Sequence, residues 1–208
     1  MLKNGAKTYG YETVDTTLRW PGHFDSTGHS DGKLTLDGAV DVAVRKVRQF
    51  ERDRQPYHIL ARSFGNYVAM KTILIHRPKL LQRLILWAPP PYWVLWRMFV
   101  RDKSETEKIA REKWLTFDKT FFPSVIPLET MVPELGVPCV AATGTEDKYC
   151  AHKYLEYLRG FANGEDFTVR DAVVGAIHEV HPGLGESVVG AYLKALFSKT
   201  LRAAPLKK

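Results

Sequence analysis

Two cysteines, Cys139 and Cys150, in a chain of 208 residues are too few for a disulfide framework, so a reducing cytoplasm is the default expectation. Long apolar runs are scarce as well. The longest, Leu84 to Trp96, is interrupted by Pro89, Pro90 and Pro91 and stops at Arg97, too short and too broken to cross a bilayer. The first twenty residues carry no apolar segment of the secretory-signal kind. The net charge is +7, but the cations are dispersed and form no dense basic run, which excludes a nucleic-acid-binding signature and leaves a solvated basic surface. Neither a Gly-x-Gly-x-x-Gly turn after the first strand nor a Gly-x-x-x-x-Gly-Lys-Ser/Thr loop occurs, which disfavours a nucleotide-binding fold. There is no internal repeat and no low-complexity stretch.

What the chain has is alternation. With 45% hydrophobic residues it can bury one sizeable core, and no composition break divides it, so a single domain over residues 1–208 is expected. Strand-like runs at Glu12–Leu18, Tyr57–Leu60, Arg83–Trp87, Pro138–Thr143 and Phe167–Val174 alternate with helix-like segments. Of these, Leu36–Phe50 places Val40, Ala43, Val44 and Val47 on one face, His152–Phe161 follows later, and Ser187–Leu201 closes the chain. Such alternation predicts a mostly parallel sheet of about five strands with helices on both faces. One stretch breaks the pattern. Residues 89–135 mix Trp93, Trp96, Phe99, Trp114, Phe117, Phe121 and Phe122 with the charged segment Arg101–Lys113. A connection of that length in a compact domain is usually functional, and the bland alternative is a helical excursion whose aromatics simply pack on the core.

The most informative run is Tyr57-His58-Ile59-Leu60-Ala61-Arg62-Ser63-Phe64-Gly65. A short apolar strand reaches a serine flanked at two residues' distance by Ala61 and Gly65, then passes directly into a helical segment. Small residues on both sides are expected because strand and helix nearly touch at so tight a turn. The layout puts a hydroxyl at the carboxyl end of a sheet and the amino end of a helix, where developing negative charge is favoured. A serine hydroxyl is a poor nucleophile at neutral pH and needs a base, which needs an orienting acid. Further along, the apolar run Pro138–Thr143 ends in Gly144-Thr145-Glu146-Asp147, and the last strand-like run ends in Gly175-Ala176-Ile177-His178-Glu179-Val180-His181.

In these motifs the chain resembles the α/β-hydrolase family, over roughly Gly10 to Leu196. The family's nucleophile elbow, Gly-x-Ser-x-Gly, is matched here by Ala61-Arg62-Ser63-Phe64-Gly65, and its order of serine, acid, histidine is kept. The resemblance implies Ser63 as nucleophile, Asp147 as acid rather than Glu146, and His178 as base in preference to His181. It also implies the backbone N–H of Phe64 as an oxyanion-hole donor. Residues 89–135 would be a helical lid. The implied activity is serine hydrolysis of a carboxylic ester, thioester or similar acyl bond in a small-molecule substrate, with no cofactor and no metal. The alternative is a non-catalytic relative that binds a small ligand or protein partner. His23, Asp25 and His29 lie in a loop rich in Gly, Ser and Asp that nothing fixes on one face, so they are not read as metal ligands. The family's usual amino-terminal strand, which ends in a His-Gly oxyanion loop, has no counterpart before Gly10. Glu12–Leu18 is therefore expected to pair with Tyr57–Leu60, and the Arg19–His23 turn to approach Ser63.

Overall fold

Leu36, Ala39, Val40, Ala43, Val44 and Val47 recur three and four residues apart and are all buried, which makes Leu36–Arg52 (α1) an amphipathic helix with one face sealed against the protein. Its start is fixed by Thr35, whose hydroxyl oxygen accepts from the Gly38 amide at 2.9 Å. The computed structural model describes residues 33–112, 116–164 and 166–178. The strand expected at Glu12–Leu18, the Arg19–His23 turn and the helix expected at Ser187–Leu201 lie outside these residues.

Four strands follow in the order of the sequence: Tyr57–Arg62 (β1), Leu81–Trp87 (β2), Cys139–Ala142 (β3) and Phe167–Val169 (β4). They pair as β1-β2-β3-β4, every pair parallel, with Ala61 opposite Leu86, Leu86 opposite Ala141 and Ala141 opposite Val169. Parallel neighbours need crossovers, and helices supply them. Gly65–His76 (α2) leads from β1 to β2 and packs on α1, while His152–Arg159 (α6) leads from β3 to β4 and packs on both. Helices thus cover the sheet on its two faces. The strand centres are apolar because both faces are buried: Leu84, Ile85 and Leu86 of β2 and all of β3 are nearly inaccessible. In α2, Tyr67, Val68, Met70 and Ile73 are also fully enclosed, so this helix lies inside the protein and is apolar on most sides.

Between β2 and β3 the chain makes a helical excursion. It contains Tyr92–Trp96 (α3) running into a wider π-type turn at Arg97–Arg101, then Lys103–Glu112 (α4), and later the short helix Leu128–Met131 (α5). The excursion is tied to the segment ahead of α1, where Leu34 donates to Thr116 and accepts from Asp118. It has its own aromatic core. Phe99 meets Phe117, Phe121 and Phe122 with ring centroids 5.1, 5.1 and 5.9 Å apart, and Phe117 meets Phe121 at 4.8 Å. Trp93 and Trp96 do not join it; they are 61% and 43% exposed.

Candidate active site

Ser63 follows the last residue of β1 and has φ of +52°, in the left-handed region that a side chain with Cβ seldom adopts. Holding it there costs about 1–3 kcal/mol. The restraint is visible in the hydrogen bonds. The Ser63 amide donates to the Trp87 carbonyl at the end of β2 (3.0 Å), and its own carbonyl accepts from the Asn66 amide (3.1 Å) and from Asn66 Nδ2 (2.6 Å). The same Nδ2 also donates to the Trp87 carbonyl at 3.0 Å, so the buried Asn66 side chain ties the elbow to the neighbouring strand. Asn66 was not singled out from the sequence; a polar residue in the first turn of an otherwise apolar helix is the signal that marks it.

Ser63 Oγ lies 2.6 Å from Nε2 of His178, and Nδ1 of His178 lies 3.0 and 3.1 Å from the two carboxylate oxygens of Asp147. With Nδ1–H donating to the carboxylate, Nε2 is left to accept from the serine hydroxyl. Asp147 is buried and further held by the amides of Tyr149 (2.8 Å) and Cys150 (2.9 Å). The Thr143 hydroxyl lies 3.2 Å from its Oδ2 and 2.9 Å from the Cys150 carbonyl, and its single proton can serve either. Burial alone would push the Asp147 carboxyl up. The hydrogen bond and charge of His178, with the two amides, outweigh it and hold the carboxyl below its ordinary range. The carboxylate is therefore ionised wherever an imidazole could use it. Glu146 is exposed and makes no such contact; its carboxylate is near Thr145. His181 lies outside the described residues, as do His23, Asp25 and His29.

The loops that bring Asp147 and His178 together are stitched along their length. Gly144 bridges Val173, the Thr145 amide donates to the Val173 carbonyl at 3.0 Å, the Glu146 amide to the Ala176 carbonyl at 3.0 Å, and the Gly175 amide to Thr145 Oγ1 at 2.9 Å. Gly144 is what permits this. A Cβ on it would lie 1.9 Å from the Ala176 carbonyl oxygen. At the elbow the expectation about glycine is corrected among the described residues: a Cβ at Gly65 would meet none of them within 4 Å. Ala61, on the other side, is buried.

The Phe64 amide, at the amino end of α2, donates to no described residue in a backbone hydrogen bond. The Phe64 ring stacks near Tyr67 and lies 4.5 Å from Phe121, so the aromatic core of the excursion reaches the residue next to Ser63. A further contact was not legible in the sequence. The Tyr149 ring meets the His178 imidazole edge-on at 4.8 Å, and its hydroxyl donates to Glu105 on α4. Glu105 also pairs with Lys148 at 3.3 Å. The excursion is thereby joined to the loop that carries Asp147. Both cysteines are buried with their thiols pushed up to about 12, chiefly by burial, so neither supplies a thiolate nucleophile. A cavity of about 120 Å³ opens between the starts of β3 and β4, at the opposite edge of the sheet from Ser63. Among the described residues no cluster of side chains could hold a metal ion.

No protein-family model and no curated protein matches the chain. Solved structures do. The monoacylglycerol lipase of Paleococcus ferrophilus superposes with a TM-score of 0.56 at 16% identity, over 86% of this chain and 81% of the lipase. E-2-(acetamidomethylene)succinate hydrolase gives 0.60 at 14%, over 86% and 79%. A serine hydrolase from the polyaromatic-hydrocarbon-degrading bacterium Cycloclasticus zankles gives 0.56 at 12%, over 88% and 79%. At such identities the likeness is one of fold.

Proposed function

The chain has the α/β-hydrolase fold, and we propose that it is a serine hydrolase cleaving a carboxylic ester, thioester or similar acyl bond. The observation that carries this reading is the unbroken hydrogen-bond chain from Ser63 Oγ through His178 to Asp147. Ser63 Oγ attacks the substrate carbonyl as His178 Nε2 takes its proton. The imidazolium so formed is stabilised and oriented by the Asp147 carboxylate, which stays ionised throughout. The tetrahedral oxyanion accepts from the Phe64 amide, a donor fixed before the reaction begins. His178 then returns the proton to the departing alcohol or thiol, leaving an acyl-serine. Water repeats the sequence in reverse, giving up a proton to Nε2 as it attacks and releasing the carboxylic acid and free Ser63. The chemistry needs no cofactor.

Residues 89–135 act as the lid of one domain spanning 1–208. Their inward aromatic cluster, reaching Phe64 through Phe121, supplies an apolar wall beside the nucleophile that suits an uncharged acyl group. Each methylene that such a wall buries adds about 0.8 kcal/mol. A nitrophenyl ester series should therefore show a measurable chain-length preference.

Labelling with a fluorophosphonate, followed by peptide mapping, tests the assignment. The probe should modify Ser63 and no other serine, and Ser63→Ala should abolish labelling and lower turnover by about 10⁶-fold. Labelling of another serine, or full turnover in Ser63→Ala, refutes it. A wild-type chain that neither labels nor turns over esters would belong with the non-catalytic, ligand-binding members of the fold.

A further inference from the structure

We propose that the outward face of residues 92–101 docks the protein on an anionic lipid surface. Trp93, Trp96 and Val100 recur three and four residues apart and are 61%, 43% and 47% exposed, while Val94, Leu95 and Met98 between them are buried. The segment thus turns one apolar side to the core and a second apolar strip to solvent. Two outward tryptophans on one short helical segment are unusual in a surface that only meets water. An indole has an apolar body and one N–H, which suits it to the depth of lipid headgroups. Charge complementarity selects the occupant. Arg97 and Arg101 are exposed along the same strip and Lys103 follows, against a single acid, Asp102. Asp102 is engaged at the start of α4, accepting from the Ser104 amide and hydroxyl at 3.2 and 2.6 Å. The chain as a whole carries +7. Exposed tryptophan flanked by exposed arginine matches a negatively charged, deformable surface.

The segment lies along that surface and does not enter it deeply. Its ten residues span about 15 Å, half the thickness of a hydrocarbon core. Among the described residues no helix is long and apolar enough to cross a membrane. On the inner side of the same segment Phe99 packs on Phe121, which packs on Phe64, so docking would hold the carboxyl edge of the sheet close to the lipid. The inference does not depend on the hydrolase reading, because docking is measured without turnover.

Flotation of the full chain with vesicles of phosphatidylcholine alone, and of phosphatidylcholine mixed equally with phosphatidylglycerol, tests it. The protein should float with the mixed vesicles, and raised salt should release it. The double variant Trp93→Ala/Trp96→Ala and the double variant Arg97→Glu/Arg101→Glu should each lower partitioning about tenfold or more. Both should keep the wild-type melting temperature, since these side chains are exposed. No flotation with mixed vesicles overturns the proposal. So does flotation that either double variant leaves unchanged, or self-association, abolished by the tryptophan variant, in a chain that ignores vesicles. That last outcome would assign the strip to a second copy of this chain. Loss of labelling in the wild type would strike the hydrolase reading alone.

Discussion

Gly144→Ala is the sharpest perturbation available, because it adds one methyl group at a point where two functional loops touch. The new Cβ would start 1.9 Å from the Ala176 carbonyl oxygen, and real Cβ atoms essentially never approach within 3.0 Å. One loop must therefore retreat by about 1.1 Å. The obstacle is backbone, not the tip of a flexible side chain, so rotation cannot relieve it. The strip from Val173 to His178 would move as a piece, since the bonds from Thr145, Glu146 and Gly175 bind it to the acid loop. His178 stands two residues from Ala176, and its 2.6 Å bond to Ser63 and 3.0 Å bond to Asp147 have no slack for such a shift. A misplacement of about 1 Å in a reacting group costs roughly 10²-fold in rate. We therefore expect the fluorophosphonate labelling rate of Ser63 to fall about a hundredfold. Gly65→Ala is the matched control. It adds the same methyl group beside the nucleophile, where no described residue lies within 4 Å, and should label at the wild-type rate. If Gly144→Ala labels and melts like the wild type, the two loops do not pack as described and the reasoning fails.

Much of the fold was legible because parallel strands buried on both faces have to be apolar. Tyr57–Leu60, Arg83–Trp87 and Pro138–Thr143 were readable as such, and they appear as Tyr57–Arg62, Leu81–Trp87 and Cys139–Ala142. The run Phe167–Val174 was overextended. Pairing stops at Val169, and Val173 and Val174 are apolar for other reasons: Val173 bridges Gly144, while Val174 is 82% exposed ahead of Gly175, whose φ is +73°. Apolar composition alone cannot separate a ladder residue from one in the loop that follows it.

At the site, the order of Ser63, Asp147 and His178 was readable, and the structure brings the three side chains together. The supporting shell was not readable. Gly144, Asn66 and Tyr149 matter through contacts with Ala176, Trp87 and His178, each set by the tertiary fold and not by local sequence. The aromatic excursion shows the same limit. Composition grouped Trp93 and Trp96 with Phe99 and Phe121, yet helical phase sends the first pair outward and the second inward. Only the structure separates a candidate pocket wall from an outer face.

Asn66→Ala removes the donor that joins Ser63 to β2 and should lower unfolding stability by about 1–3 kcal/mol, read by urea titration. Tyr149→Phe keeps the ring against His178 and should keep labelling, whereas Tyr149→Ala should slow it; equal rates in the two would remove the ring from any positioning role. Asp147→Asn should cost turnover about 10⁴-fold, because the imidazole loses the partner that fixes its tautomer, while Glu146→Gln should leave activity near wild type. The same Asp147→Asn variant carries a prediction about acid stability. The folded carboxyl is held below its ordinary value by His178 and the loop amides, against burial. The unfolded chain therefore takes up this proton at a higher pH than the folded one does. Stability from the carboxylate is present in full above its unfolded value, about pH 4, and is lost as pH falls further, through the folded value. Urea unfolding of wild type and Asp147→Asn should accordingly show a gap that closes as the pH is lowered below about 4. A gap that widens there, or holds steady to the acid limit, would mean that Asp147 gains nothing from its ionised contacts.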